Sequence, residues 1–147
     1  MSEHEPTLTI PAEIHDAMVA HCVREAPLEC CGILGGIAPL VSSFHPLRNA
    51  AASETRYKAD PQDLIGAITS LRQRGAEILA IYHSHPRWAA VPSETDLREN
   101  HYGPVPRIIV SLLGERPEVR IWRLDPDSFE ELPWQITDGP LPLNPSP

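Results

Sequence analysis

Two histidines one residue apart, followed at a fixed distance by an aspartate, are the residues of this sequence best suited to chemistry. His83 and His85 come directly after the apolar, β-prone run 78–82. On a strand, residues i and i+2 point to the same face, so both imidazoles can bind one ion. Asp96 adds a carboxylate, and three protein ligands with a position left open for water are typical of catalytic zinc sites. The sequence therefore predicts a metal-dependent hydrolase.

The segment from Ser93 to Asp96 also has the pattern of a helix N-terminus. Ser93 suits the N-cap, and Asp96 stands at the third helical position, where an acidic side chain can complete a capping box. The helix macrodipole favours a negative charge in this first turn. Capping and metal binding are compatible, because the start of the helix would fix where the aspartate lies.

Taken together, these residues resemble the JAMM motif of the MPN+ metalloproteases, which reads His-x-His, seven residues, Ser-x-x-Asp. His83, His85, Ser93 and Asp96 match this motif completely. The family also has an upstream glutamate in a Pro-x-Glu-x-Cys-Gly-like segment, to which the run beginning Pro27-Leu28-Glu29-Cys30-Cys31-Gly32 is similar. The stretch from Asn49-Ala50-Ala51 to Arg56-Tyr57 looks like another family segment. The resemblance spans about residues 8 to 125 and is strongest to small, single-domain bacterial members.

The resemblance implies a role for each matched residue. One catalytic Zn²⁺ would be held by His83, His85 and Asp96, making water nucleophilic near neutral pH. Glu29 would be the general acid/base that carries a proton to the leaving amine, and Ser93 would donate to the oxyanion of the tetrahedral intermediate. Without the resemblance, Glu29 would be interpreted as a surface glutamate at the entry of a strand.

The small bacterial members of the family resemble peptidases that act after the C-terminal Gly-Gly of ubiquitin-like sulfur-carrier proteins. The resemblance thus implies hydrolysis of a peptide or isopeptide bond in such a partner. A catalytically silent MPN scaffold that binds partner proteins is the alternative, although such domains usually lack some of the ligands. A DNA-repair protein with the same motif is a third hypothesis, against which the acidic charge argues. A homodimer through helix 11–25 or the tail is left open.

Composition and charge agree with a small enzyme. The net charge of −8, from 12 basic and 20 acidic residues, disfavours nucleic-acid binding. The 147 residues fit one domain, placed at 1–137, with a proline-rich flexible tail at 138–147. We expect no signal peptide and no membrane span. The three cysteines form no disulfide framework, and we interpret them as small buried hydrophobes of a cytoplasmic protein.

The elements that must position these residues are predicted from periodicity and capping signals. The second helix should begin after the N-cap Asp60, end at Gly75, and bury a face formed by Leu64, Ile65, Ile68 and Leu71. The other predicted elements are a helix at 11–25, strands at 30–36, 40–45 and 78–84, a hairpin of 107–113 with 118–124, and a last strand at 130–136. An α/β (α+β) fold with a mixed, mostly antiparallel sheet flanked by helices follows. The resemblance implies the same fold, which is MPN/JAMM-like and cytidine-deaminase-like.

Two aromatic residues lie close to the predicted ligands. Tyr82 should alternate away from the histidine face and pack in the core. Trp88 lies in the loop between the ligands, where its ring would either line the substrate groove or pack against the loop.

Overall fold

The computed structural model describes residues 5–138. The helices and strands, numbered in chain order, are β1 (Leu8–Pro11), α1 (Ala12–Glu25), β2 (Cys31–Ile37), β3 (Leu40–Leu47), α2 (Pro61–Gln73), β4 (Glu77–His85), α3 (Glu94–Arg98), β5 (Arg107–Ser111), β6 (Glu118–Leu124), β7 (Phe129–Leu132) and β8 (Trp134–Thr137). The predicted flexible tail lies, apart from residue 138, outside the described residues. No helix within residues 5–138 is long and apolar enough to cross a membrane.

The strands form one mixed sheet in the order β7-β6-β5-β4-β2-β3-β1-β8. The pairs β1–β3, β1–β8 and β4–β5 are parallel, and the other neighbouring strands are antiparallel. The predicted α+β fold with a mixed, mostly antiparallel sheet is therefore confirmed. The strand that carries the histidines, β4, lies at the centre of this order, and its residues from Leu79 to His85 are all buried.

Helix α1 packs on one face of this sheet and builds the larger part of the core. Ile14, Met18, His21 and Cys22 are its buried side chains, as its 3.6-residue periodicity predicts. They meet residues such as Leu34 and Tyr82 from the central strands. Tyr82 is fully buried in this cluster, which confirms that it points away from the histidine face.

Helix α2 covers part of the opposite face. The Asp60 side chain caps its start by accepting a hydrogen bond from the backbone N–H of Asp63, and Gly75 follows its end with a φ of 65°. Leu71 packs against the sheet with Ala67, but Ile65 is 64% exposed, so its place in the predicted apolar face was wrong. Only one stripe of a surface helix faces the core, and here that stripe contains Ala67 and Leu71 and leaves Ile65 outside it.

The two ends of the sheet differ from the prediction. The single strand predicted at 130–136 is two strands, β7 and β8, which lie at opposite edges of the sheet. Pro133 separates them, because proline lacks the N–H that a continuous ladder would need. Strand β8 pairs with β1, a four-residue strand that the sequence analysis did not predict.

Candidate metal centre

The last residues of β4 present the two histidines to the α2 face of the sheet. His83 is paired with Cys31 of β2 and Ile109 of β5, and His85 with Ser111 of β5. His83 thus has a neighbouring strand on both sides and His85 on one, and both residues are buried, with 1% and 2% of their surface exposed. The ring of Tyr57 stacks on His83 with a centroid distance of 4.6 Å. The backbone register thus determines where both imidazoles lie.

The start of α3 brings the aspartate to the same place. The Ser93 Oγ accepts a hydrogen bond from the Asp96 backbone N–H at 3.0 Å, and the Asp96 carboxylate accepts one from the Ser93 N–H at 2.9 Å. This is the predicted capping box. It holds the carboxylate by its own backbone neighbours while leaving lone pairs of both oxygens free to face the histidines.

The three side chains converge on one point. His83 Nε2 lies 3.1 Å from Asp96 Oδ1, His85 Nε2 lies 3.1 Å from Asp96 Oδ2, and the two Nε2 atoms are 3.2 Å apart. All three ligand atoms lie within 4.8 Å of one another. The Nδ1 atom of His85 lies 2.8 Å from the carbonyl oxygen of Ala89. Because that carbonyl can only accept, Nδ1 carries the proton and Nε2 presents its lone pair to the cluster.

The electrostatics of the cluster favour an ionised aspartate beside neutral or positive rings. Burial opposes ionisation of Asp96, but the two histidines and the Ser93 backbone hold its pKa well below its usual range. Burial lowers the pKa of His83. Burial acts in the same direction on His85, but its bonds to Asp96 and Ala89 outweigh that effect and raise its pKa. Two nitrogen donors and one anionic oxygen are the donor set that a borderline cation such as Zn²⁺ prefers, so the residues fit a metal ion.

Glu29 lies at the entrance to β2 in surroundings unlike those of a surface glutamate. Its side chain is 3% exposed, and its Oε1 atom is buried without a hydrogen-bond partner in the part of the chain that the structure describes. Its backbone is held by Ser53, whose carbonyl accepts from the Glu29 N–H at 2.8 Å, and by Asn49, whose side chain donates to the Glu29 carbonyl at 2.9 Å. Burial raises the pKa of Glu29 to about 8.

Trp88 and the three cysteines were also considered from the sequence, and the structure gives each of them a position. Trp88 is 57% exposed and does not line the cleft beside the ligands, so its side chain stands in solvent. Cys22, Cys30 and Cys31 are all buried free thiols, which confirms the predicted burial, and Cys30 and Cys31 pack on opposite faces of the sheet.

A cleft of about 230 Å³ opens beside the ligands. Most of the residues that line this cleft were not predicted from the sequence to belong to the site. They include Lys58, Glu99, His101, Tyr102 and Arg107. Arg56 and Tyr57 also line it, and their place in a family-like segment was the one available signal. Lys58 follows them directly in the chain, whereas Glu99, His101 and Tyr102 come from the loop before β5 and Arg107 from the first position of that strand, where a local pattern shows only turns and a strand start.

A family model described as prokaryotic homologs of the JAB domain matches residues 11–125. The chain belongs to this family. The matched range contains the whole candidate metal centre and Glu29, so the resemblance that the motifs indicated is confirmed, as is a JAB/MPN fold.

This JAB-domain protein has curated relatives over most of its length. The probable TtuB-protein conjugate cleaving protease of Thermus thermophilus is 39% identical over 114 residues, which cover 77% of this chain and 76% of that protein. The CysO-cysteine peptidase of Mycobacterium tuberculosis is 30% identical over 139 residues, covering 89% and 92% respectively. The solution structure of protein DSY2949 from Desulfitobacterium hafniense superposes with a TM-score of 0.83 at 27% identity, over 90% of this chain and 94% of that one.

Proposed function

We propose that this JAB-domain protein is a zinc-dependent peptidase that hydrolyses the peptide bond after the C-terminal Gly-Gly of a ubiquitin-like sulfur-carrier protein. The observation that carries the proposal is the convergence of His83, His85 and Asp96 within 4.8 Å, with both histidine Nε2 atoms facing the carboxylate. This arrangement suits a catalytic rather than a structural zinc site, because three protein ligands leave a position for water.

The names of relatives support the reaction class and the partner. One relative is named a probable TtuB-protein conjugate cleaving protease and another a CysO-cysteine peptidase, so each name describes cleavage of a bond to a named protein. An extended diglycine tail is narrow, so a slot that excludes side chains can select it. Three free cysteines also agree with a reducing cytoplasm as the location that we propose.

In the proposed reaction, Glu29 and Ser93 have separate roles beside the metal. When bound, zinc supplies Lewis acidity, which polarises a carbonyl and makes water nucleophilic near neutral pH. Glu29 takes one proton from the attacking water and transfers it to the scissile nitrogen, so that the C–N bond breaks with a neutral amine as leaving group. The Ser93 hydroxyl already accepts from the Asp96 N–H, and its own proton is free to be donated to the oxyanion.

The decisive experiment follows cleavage of a ubiquitin-like sulfur carrier extended beyond its Gly-Gly, by intact-mass spectrometry, with zinc content measured in parallel. We expect the wild type to cleave after the second glycine and to hold one zinc ion. Glu29→Gln should keep the zinc and lose roughly 100- to 10,000-fold in kcat, the range for a general acid/base. The matched control is Glu25→Gln, an exposed glutamate at the end of α1.

Three results would contradict the proposal in different ways. Full activity in Glu29→Gln would remove that residue as the proton carrier. Tight zinc binding by Asp96→Asn would show that the ligand set is wrong. A wild type that binds no zinc and cleaves nothing would favour the alternative hypothesis of a catalytically silent scaffold. Selectivity is tested with a carrier ending in Gly-Ala, and equal cleavage of both carriers would contradict the Gly-Gly preference.

A further inference from the structure

A buried arginine lies on the same face of the sheet as the metal ligands. Arg107 is the first residue of β5 and is paired with Ile81 of β4, while the next same-face pair along these strands is His83 with Ile109. Arg107 is 2% exposed, yet it lines the cleft together with His83 and Asp96. A cation is therefore built into the cleft within about two strand positions of the candidate metal centre.

Neutral groups hold this guanidinium. Its Nη2 atom donates to the Oδ1 of Asn100, and its Cζ lies 5.0 Å from the centre of the Tyr102 ring. Its Nε is buried without a partner, and within residues 5–138 no other hydrogen bond reaches the group. No carboxylate oxygen of those residues comes within 4.0 Å of it.

A buried charge without a counter-charge is costly. The other arginine at this cleft illustrates the usual arrangement, because Arg56 is 3.2 Å from the carboxylate of Glu99. A guanidinium is planar and always charged, and it binds carboxylates through two parallel hydrogen bonds. An acidic group that arrives with the substrate would complete the surroundings of Arg107.

The size of the cleft limits what this acidic group can belong to. At about 230 Å³ the cleft is smaller than the roughly 300–1,000 Å³ of sites for drug-sized ligands, so it suits one residue beyond the scissile bond rather than a protein surface. A single residue that follows Gly-Gly ends in a free α-carboxylate, close to the scissile nitrogen. In an isopeptide conjugate, the leaving lysine has its α-carboxyl group tied up in a peptide bond.

Resting on the function proposed above, we propose that Arg107 binds the α-carboxylate of a single residue released from the C-terminus of the carrier. Arg107 is then a specificity-determining residue, and it favours release of a free amino acid over cleavage of isopeptide conjugates. Asn100 and Tyr102 act as positioning residues for the guanidinium.

The test compares two substrates that differ only at the C-terminus. A carrier ending in Gly-Gly plus one residue is prepared with a free carboxylate and with a carboxamide, and kcat/KM is measured for both. We expect amidation to lower kcat/KM of the wild type roughly 10- to 100-fold, as for loss of a charged hydrogen-bonded pair. Arg107→Gln should lose activity on the free acid and cleave both substrates at similar rates. Arg56→Gln, which also removes a cation from the cleft, should keep the wild-type ratio.

The outcomes separate this inference from the proposed function. Equal cleavage of acid and amide by the wild type would overturn the role of Arg107 while leaving a working peptidase. Cleavage of neither substrate would remove the proposed function itself. If Arg107→Gln does not fold, which its zinc content and melting curve would show, the wild-type ratio alone decides, and a lysine-linked conjugate cleaved as fast as the free acid would also overturn the inference.

Discussion

At the scale of the residue, Glu29 combines near-complete burial with a carboxylate oxygen that has no partner among the described residues. Burial disfavours the charged form and raises the pKa of this side chain to about 8. A carboxyl group that gains and loses a proton close to neutral pH is suited to carrying one between water and an amine. The same burial has a consequence for stability.

We predict that Glu29→Gln makes the metal-free protein more stable near neutral pH. The pKa of this carboxyl is raised from 4.5 to about 8 on folding, so the folded state holds its proton more tightly and the wild type loses stability as the pH rises through that interval. The glutamine variant has no such loss. Its advantage should grow by about 1.4 kcal/mol per pH unit and approach a few kcal/mol at neutral pH.

Urea unfolding of chelator-treated protein across this pH range measures the difference. Glu25→Gln, at an exposed position, should follow the wild-type curve. A Glu29→Gln advantage that does not change with pH would mean that the carboxyl is not neutral in the fold.

At the scale of the element, α3 is a helix of five residues whose start serves two purposes. Its capping box holds the Asp96 carboxylate beside His83 and His85, and the Ser93 hydroxyl that makes the cap is also the group that we propose as donor to the oxyanion. A helix this short has little stability of its own, so the cap and the surrounding packing must hold it.

Substitution of Ser93 by two small residues should separate capping from catalysis. Ser93→Ala should cost about 1 kcal/mol through loss of the cap, whereas Ser93→Gly should cost only a few tenths because glycine is tolerated at the N-cap. Both remove the hydroxyl, so both should lower kcat roughly 100- to 1,000-fold with little change in KM. Thermal unfolding and steady-state kinetics measure the two effects. A glycine variant with normal kcat would assign Ser93 to capping alone.

At the scale of the whole molecule, the two faces of the sheet differ: one carries a buried core with helix α1, and the other carries the candidate site. The α1 face holds a buried polar network in which His21 Nδ1 is 2.7 Å from the Tyr82 hydroxyl and 3.4 Å from the Cys30 sulfur. The opposite face holds the candidate metal centre and the cleft. Gly32 allows this arrangement, because a Cβ there would lie 2.2 Å from the Tyr82 ring.

Tyr82→Phe should therefore weaken the fold without changing the site. It removes the hydroxyl and leaves a buried His21 nitrogen with one partner fewer, which should cost about 1–3 kcal/mol. Zinc content and kcat should stay at the wild-type level, since Tyr82 points away from His83 and His85. Denaturant unfolding, metal analysis and a cleavage assay check the three quantities. A loss of zinc would show that the two faces are coupled through β4.

The elements around the site were predictable because they depend on short-range patterns. Alternation along the strand that ends at His85 placed both histidines on one face, and the residue types from Ser93 to Asp96 specified a helix start. The small strand β1 and the division at Pro133 were not predicted, since those strands exist only through pairing with distant segments.

The sequence by itself determined the candidate metal ligands, their spacing and the type of fold that presents them, because strand alternation and helix capping act over a few residues. Only the tertiary structure decided that Glu29 is buried with a carboxyl oxygen that has no partner among the described residues, and that Arg107 lines the cleft without an acidic partner there. Both features arise where distant segments exclude water together. Desolvation is a property of that three-dimensional packing, and no local pattern of residues contains it.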